Sequence, residues 1–161
     1  PLKSGSPSFE NNDYAGCVRA MEQALRLDPN NPPARDLLFR ADTALSQQDI
    51  LGLIQQRCRA EERGDLQGVL RPVAPGRTAE DERAKYSMIF TIYDNIKSRV
   101  QSSTISIRFS DRTHATATFY QAIQGTSRKD GTLKTPFYGQ KTWDLVKLAN
   151  GWQIVKIQEQ S

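Results

Sequence analysis

Histidine occurs once in this 161-residue chain, at His114, and cysteine only twice, at Cys17 and Cys58. Zinc sites need clustered Cys and His at close spacing, so a centre of that kind is excluded. Each cysteine falls on an apolar helical stripe and reads as a small buried hydrophobe. No apolar run reaches the roughly 18 residues of a membrane-spanning helix, so no membrane contact is expected. Residues 1–7 lack the apolar core of a signal peptide. Gly-x-Gly-x-x-Gly, P-loop and Gly-x-Ser-x-Gly patterns are missing, as is any carboxylate cluster suited to a metal. Neither a cofactor nor a metal is expected.

Acidic residues run short toward the C-terminus. Beyond Asn95, Lys97, Arg99, Arg108, Arg112, Arg128, Lys129, Lys134, Lys141, Lys147 and Lys156 face only Asp111, Asp130, Asp144 and Glu159. Such a surface attracts anions, and a basic sheet binding an acidic partner is one reading. Lysines that discourage edge pairing on a solvated strand are the simpler one. Nucleic acid is not the expected partner.

What is present begins with helices. Tyr14, Cys17, Val18, Met21, Ala24 and Leu25 recur on one helical face, and Asp28-Pro29 stops the run. Leu37, Leu38, Ala41, Ala44 and Leu45 form a second stripe. Asp13-Tyr14, Cys17, Met21, Ala24-Leu25 and Leu27-Asp28-Pro29 resemble the second helix of a tetratricopeptide repeat. Residues 34–45 would be the first helix of the next unit, and Pro7-Ser8-Phe9-Glu10 a remnant of the preceding one. Such stacks need about three units for stability. Residues 1–45 are therefore expected to be a partial repeat hairpin of a larger protein.

A new helix is expected over 47–63, with Ser46 as N-cap and Ile50, Leu53, Ile54 and Cys58 on its stripe. Gly64-Asp65 ends it and caps a short turn over 66–70; 71–77, with two prolines and a glycine, reads as loop. From Thr78 another helical stripe carries Tyr86, Ile89, Phe90, Tyr93 and Ile96. Then the period becomes alternating. Ile105, Ile107 and Phe109 share one strand face; Ala115, Ala117, Phe119 and Ile123 share another.

Asp130-Gly131 and Asn150-Gly151 are turn signals, the second marking a two-residue hairpin. With Ala149 and Trp152 flanking that turn, Val146 lies opposite Val155 and Lys147 opposite Ile154. Trp143, Leu145, Trp152 and Ile154 then share one face, and Val146, Leu148, Val155 and Ile157 the other.

Helices followed by an antiparallel meander make an α+β class. "CRAEERGDLQGVL", "KYSMIFTIYDNI", "DRTHATATFYQAI" and "KTWDLVKLANGWQIVKI" resemble the nuclear-transport-factor-2-like superfamily. The resemblance implies a cone of helices wrapped by a curved sheet of about four strands, here over 46–161. A repeat hairpin before such a cone is similar to C-terminal regions of some bacterial signalling proteins. That implies a parent with further repeats or a kinase domain. It also implies a cytoplasmic location or, alternatively, the extracytoplasmic part of a membrane-anchored parent.

Enzymes of the superfamily move protons inside the cone with an Asp or His base and a Tyr or Asp donor. By strand parity His114 points outward here, and Asp94 and Asp144 have no evident partner, so no catalytic residue is assigned. Arg57 and Glu61, four apart, prolong the Ile50/Ile54 stripe. Facing inward they would place charge in the cone; a surface pair worth about 0.3–0.5 kcal/mol is the simpler alternative. With Tyr86, Phe90, Tyr93, Phe119 and Trp143 they are the candidates for lining a ligand pocket, although the aromatics serve equally as core.

The leading expectation is a non-catalytic interaction or sensing module. It self-associates as a homodimer through Tyr120, Val146, Leu148, Val155 and Ile157, with a small ligand in the cone as an option. An acid–base isomerase, dehydratase or cyclase acting on a small hydrophobic substrate is the alternative.

Overall fold

A computed structural model describes Phe9 and residues 12–161. Two compact units divide at Asp49/Ile50. In the first, α1 (Tyr14–Leu27) starts where the Asp13 side chain accepts the Gly16 N–H at 3.0 Å. α2 (Pro32–Arg63) starts where the Asn31 side chain accepts the Ala34 N–H at 3.2 Å. Both are side-chain caps of orphan amides at a helix start. Cys17, Met21 and Ala24 of α1 bury against Ala34, Leu37 and Ala41 of α2. Except for Phe9, the proposed remnant helix Pro7 to Glu10 lies outside the described residues.

α2 does not stop at Leu45. It runs unbroken for 32 residues, and Ser46 is buried inside it rather than capping a new helix. Between Ala34 and Leu51 the sequence offers neither glycine nor proline. A serine followed by two glutamines costs a helix interior only tenths of a kcal/mol each.

The second unit takes in α2 from Ile50 onward. Gly64, at φ +65°, turns the chain out of that helix, and Asp65 caps α3 (Leu66–Leu70). α4 (Arg77–Ile92) follows. The 71–77 loop carries an isolated parallel bridge: Ala74 donates to the Ile154 carbonyl at 2.9 Å, and Ile154 donates to that of Pro72 at 2.7 Å.

The helical stripe expected to reach Ile96 ends four residues earlier. Tyr93 is already extended, and β1 (Tyr93–Val100) adds a strand, giving five where about four were expected. Tyr93, where the strand begins, is aromatic, which favours strand. A bulge between Asp94 and Lys97, with Asn95 at φ +49°, re-aims the chain there.

A 3-10 turn (Ser102–Thr104) leads to β2 (Ser106–Asp111), β3 (His114–Ser127), β4 (Leu133–Leu148) and β5 (Gly151–Gln160). The sheet is open and antiparallel, ordered β1-β3-β4-β5, with β2 also paired to β3. The α+β class stands.

The last hairpin differs in register from the expectation. Leu148 pairs with Gly151, so the turn is Ala149-Asn150, and Val146 lies opposite Gln153. Asp144 pairs with Lys156 but Leu145 with Ile154, which leaves Val155 as an extra bulged residue. One inserted residue inverts the parity beyond it. Ile157 therefore sits opposite Trp143 and packs against the core, not on the outer face.

One core cluster gathers Ile50, Ile54, Val73, Ala115, Ala117, Phe119, Trp143, Leu145, Trp152 and Ile154. A second gathers Ala60, Val69, Tyr86, Ile89, Ile96, Ile123 and Phe137. Among the described residues no helix is long and apolar enough to cross a membrane.

Candidate functional site

Between those two clusters the interior is ionic. Helical spacing carries the inward stripe of α2 from Ile50 and Ile54 to Arg57 and Glu61, and both side chains are almost fully buried, at 2% and 1% exposure. The surface-pair reading therefore fails. The two pair with other elements instead: Arg57 Nη2 donates to Glu82 of α4, and Arg57 Nε to the Val69 carbonyl at 3.2 Å. The guanidinium lies 5.2 Å from the Tyr86 ring centroid and 5.6 Å from that of Trp143, within cation–π range.

Glu61 collects donors from three elements. Tyr86 of α4 gives its hydroxyl, Ser98 of β1 its Oγ at 2.9 Å and Gln121 of β3 its Nε2 at 2.9 Å. Gln121 Nε2 also reaches Ser98 Oγ at 2.7 Å. From β4, Lys141 Nζ donates to the Tyr86 hydroxyl at 3.2 Å and stands 4.0 Å from Glu61 and 3.7 Å from Glu159. Its ammonium lies 5.0 Å from the Phe137 centroid. Lys85 joins Glu159 and, at 3.9 Å, Glu82. Three basic and three acidic groups thus interlock α2, α4, β4 and β5.

Burial shapes their ionisation. It pushes Lys141 down to about 8; Glu61 pulls the other way, and Arg57 and Lys85 push down further. Desolvation also works against the Arg57 charge, but Tyr86, Glu82 and Glu61 outweigh it, so the guanidinium stays protonated. Tyr86 is raised well above its usual value by burial and by Glu61. Glu159 is lowered despite burial, because Lys141 and Lys85 face it.

The space among Ile54, Arg57, Cys58, Glu61, Phe119, Gln121 and Trp143 leaves no room for a water molecule. Among the described residues, Arg57 Nη1 and the indole nitrogens of Trp143 and Trp152 find no acceptor, and no cluster of ligand side chains could hold a metal.

Of the pocket candidates, Arg57, Glu61, Tyr86 and Trp143 meet around this network, with Phe119 edge-on to Trp143 at 5.0 Å. Phe90 and Tyr93 are partly buried beside the second apolar cluster. Sequence reasoning missed Glu82, Ser98, Gln121 and Lys141. Each has the inward parity of its element, since Gln121 alternates with Phe119 and Ile123, and Lys141 with Trp143.

Of the interface candidates, Tyr120 and Val146 lie on the outer face of β3 and β4. Leu148 and the bulged Val155 are exposed, and Tyr138, 65% exposed, shares the face with Tyr120. His114 points outward and bonds Asp111 at 2.9 Å, which lowers that carboxyl to about 2. An open groove of about 430 Å³ runs between α2 and the β1 end.

No family model matches the chain, and no curated protein is similar to it. Solved structures do share its fold. A nuclear transport factor 2 (NTF2-like) superfamily protein of Salmonella enterica serovar Typhimurium is 14% identical over 74% of this chain and 92% of that one, with a TM-score of 0.63. A candidate scytalone dehydratase from Novosphingobium aromaticivorans is 11% identical over 74% and 87%, at 0.65. A candidate calcium/calmodulin dependent protein kinase II association domain from Xanthomonas campestris is 16% identical over 68% and 83%, at 0.57. At such identities the likeness establishes the NTF2-like cone fold and nothing of activity.

Proposed function

We propose that this chain carries a non-catalytic interaction domain, which self-associates through the outer sheet face while the N-terminal helical pair links it to the rest of a larger protein. The observation that carries the reading is the closed interior. The place where a cone could receive a substrate is occupied by Glu61, Tyr86 and Lys141 bonded to one another, with the Arg57 guanidinium over the Tyr86 ring, and the space among Arg57, Glu61, Gln121 and Trp143 has no room for a water molecule.

The outer face has the make-up of a contact surface. Thr118, Tyr120, Thr142, Gln140 and Tyr138 form an uncharged stretch on β3 and β4, bordered by the row of Arg108, Thr116, Asp144 and Lys156. Exposed tyrosines are enriched at interfaces. The Xanthomonas neighbour, described as an association domain, is consistent with this use of the fold.

Light scattering of the full chain across a concentration series is expected to report twice the mass of one chain. Tyr138→Lys and Tyr120→Lys, both at exposed positions, are expected to return it to a monomer without unfolding it. A monomer at high concentration overturns self-association. Capture of a polyanion in its place, lost as salt rises, would support the basic-sheet alternative.

One observation favours acid–base chemistry as a second reading. Lys141, lowered to about 8, sits 3.2 Å from a phenol, and depressed amines recur at functional sites. That reading requires the interior to open. Proton exchange at Lys141 that stays slow with and without hydrophobic carbonyl compounds would rule it out.

A further inference from the structure

We propose that the groove between the second half of α2 and the end of β1 binds a small amphipathic carboxylic acid, with Arg59 as its counter-ion. The groove encloses about 430 Å³, within the roughly 300–1,000 Å³ typical of small-molecule sites. It lies beside the filled interior, with which it shares Ile54 and Cys58 as a wall, and away from Tyr120 and Tyr138 of the outer sheet face.

Its two ends differ in chemistry. At one end Leu51 and Ile54 of α2 meet Val100 and Ile105, which pack against the apolar core cluster. Leu51 and Glu62 are eleven residues apart, so α2 carries the groove about 16 Å along its axis. At the other end stand Cys58, Arg59, Glu62, Ser98 and Arg99.

Charge at that polar end is unbalanced. The Glu62 carboxylate accepts the Ser98 N–H at 3.0 Å and lies 3.6 Å from Arg99, so its charge is matched. Arg59 has no ion pair or hydrogen bond among the described residues. Two cations thus face one anion beside an apolar trough. A ligand with one carboxylate and one apolar body satisfies both ends: the carboxylate takes the planar, two-pronged donor set of a guanidinium, and the body covers Leu51, Ile54, Val100 and Ile105. An uncharged chain would leave Arg59 unmatched, and a cationic one would be repelled.

Titration of the full chain with octanoate, followed by calorimetry and by backbone amide resonances, tests this. Saturable binding is expected, with shifts concentrated at residues 58–62 and 98–102. Arg59→Gln is expected to weaken it about tenfold or more. Arg63→Gln, one helical step beyond the groove, is expected to leave it unchanged. Octylammonium is expected not to bind. Arg59 is exposed, so its replacement leaves the fold intact, which circular dichroism verifies. Absence of saturation, equal affinity of the Arg59→Gln variant, equal binding of octylammonium, or shifts confined to the Tyr120 and Tyr138 face would each overturn the proposal.

Discussion

The two ends of the cone's interior are built on the same periodicities and filled with opposite chemistry. Along α2 the inward stripe passes from Ile50 and Ile54 to Arg57 and Glu61. Along β4 the inward positions pass from Leu145 and Trp143 to Lys141. At the apolar end each side chain contributes by leaving water, and a neighbour of similar volume could replace it. At the ionic end a side chain is tolerable only while its partners stay in place. Spacing therefore reports which way a residue points, and says nothing of whether water or a counter-charge must meet it there.

Breaking the ionic end should cost most. Glu61→Ala leaves Lys141 with Glu159 as its one carboxylate and removes the shared acceptor of Ser98 and Gln121, so a loss of about 3–5 kcal/mol is expected in urea unfolding. A loss below about 1 kcal/mol would mean that the network is solvated.

A smaller effect comes from pH. Lys141 is held at about 8 against its ordinary 10.5, so between those values the unfolded chain binds more protons than the folded one. Stability should then rise with pH from 8 toward 10, by about 2 kcal/mol. Below pH 8 the penalty of the buried charge is fully present. Above pH 10 the raised Tyr86 reverses the trend, because the unfolded phenol ionises first. Lys141→Met should flatten the rise; a slope that survives this change would assign it to another group.

The apolar end should respond least to a small change. Ile54→Val is expected to cost about 0.5–1.5 kcal/mol with no pH dependence. A pH-dependent cost there would show that the two ends are coupled, and the contrast between them would dissolve.

Much of this fold could be read from spacing, because alternation and helical stripes record burial directly. The α+β order, the inward faces of β3 and β4 and the α3 cap at Asp65 are of that kind. Three features escaped for physical reasons. β1 escaped because Tyr93 and Ile96 satisfy a helical stripe as well as a strand. Ile157 changed face because the bulge at Val155 adds a residue that no local composition announces. The uninterrupted α2 escaped because Ser46 suits a cap and a helix interior almost equally.

The candidate site was legible in part. Arg57 and Glu61 stood out by continuing an apolar stripe, but their partners Glu82 and Lys141 are remote in sequence. Only the fold brings them together.

Glu61 and Lys141 also carry a consequence for synthesis. On the ribosome, at about 5–20 residues per second, the carboxylate emerges seconds before its ammonium partner, and Glu159 follows later still. Glu82 on α4 can meet Arg57 early, but until β4 arrives an early collapse would trap Glu61 without its ammonium partner, so premature compaction is unfavourable. The nascent helix is kept hydrated by its own acids and bases, and the cone condenses late, around contacts that are distant along the chain.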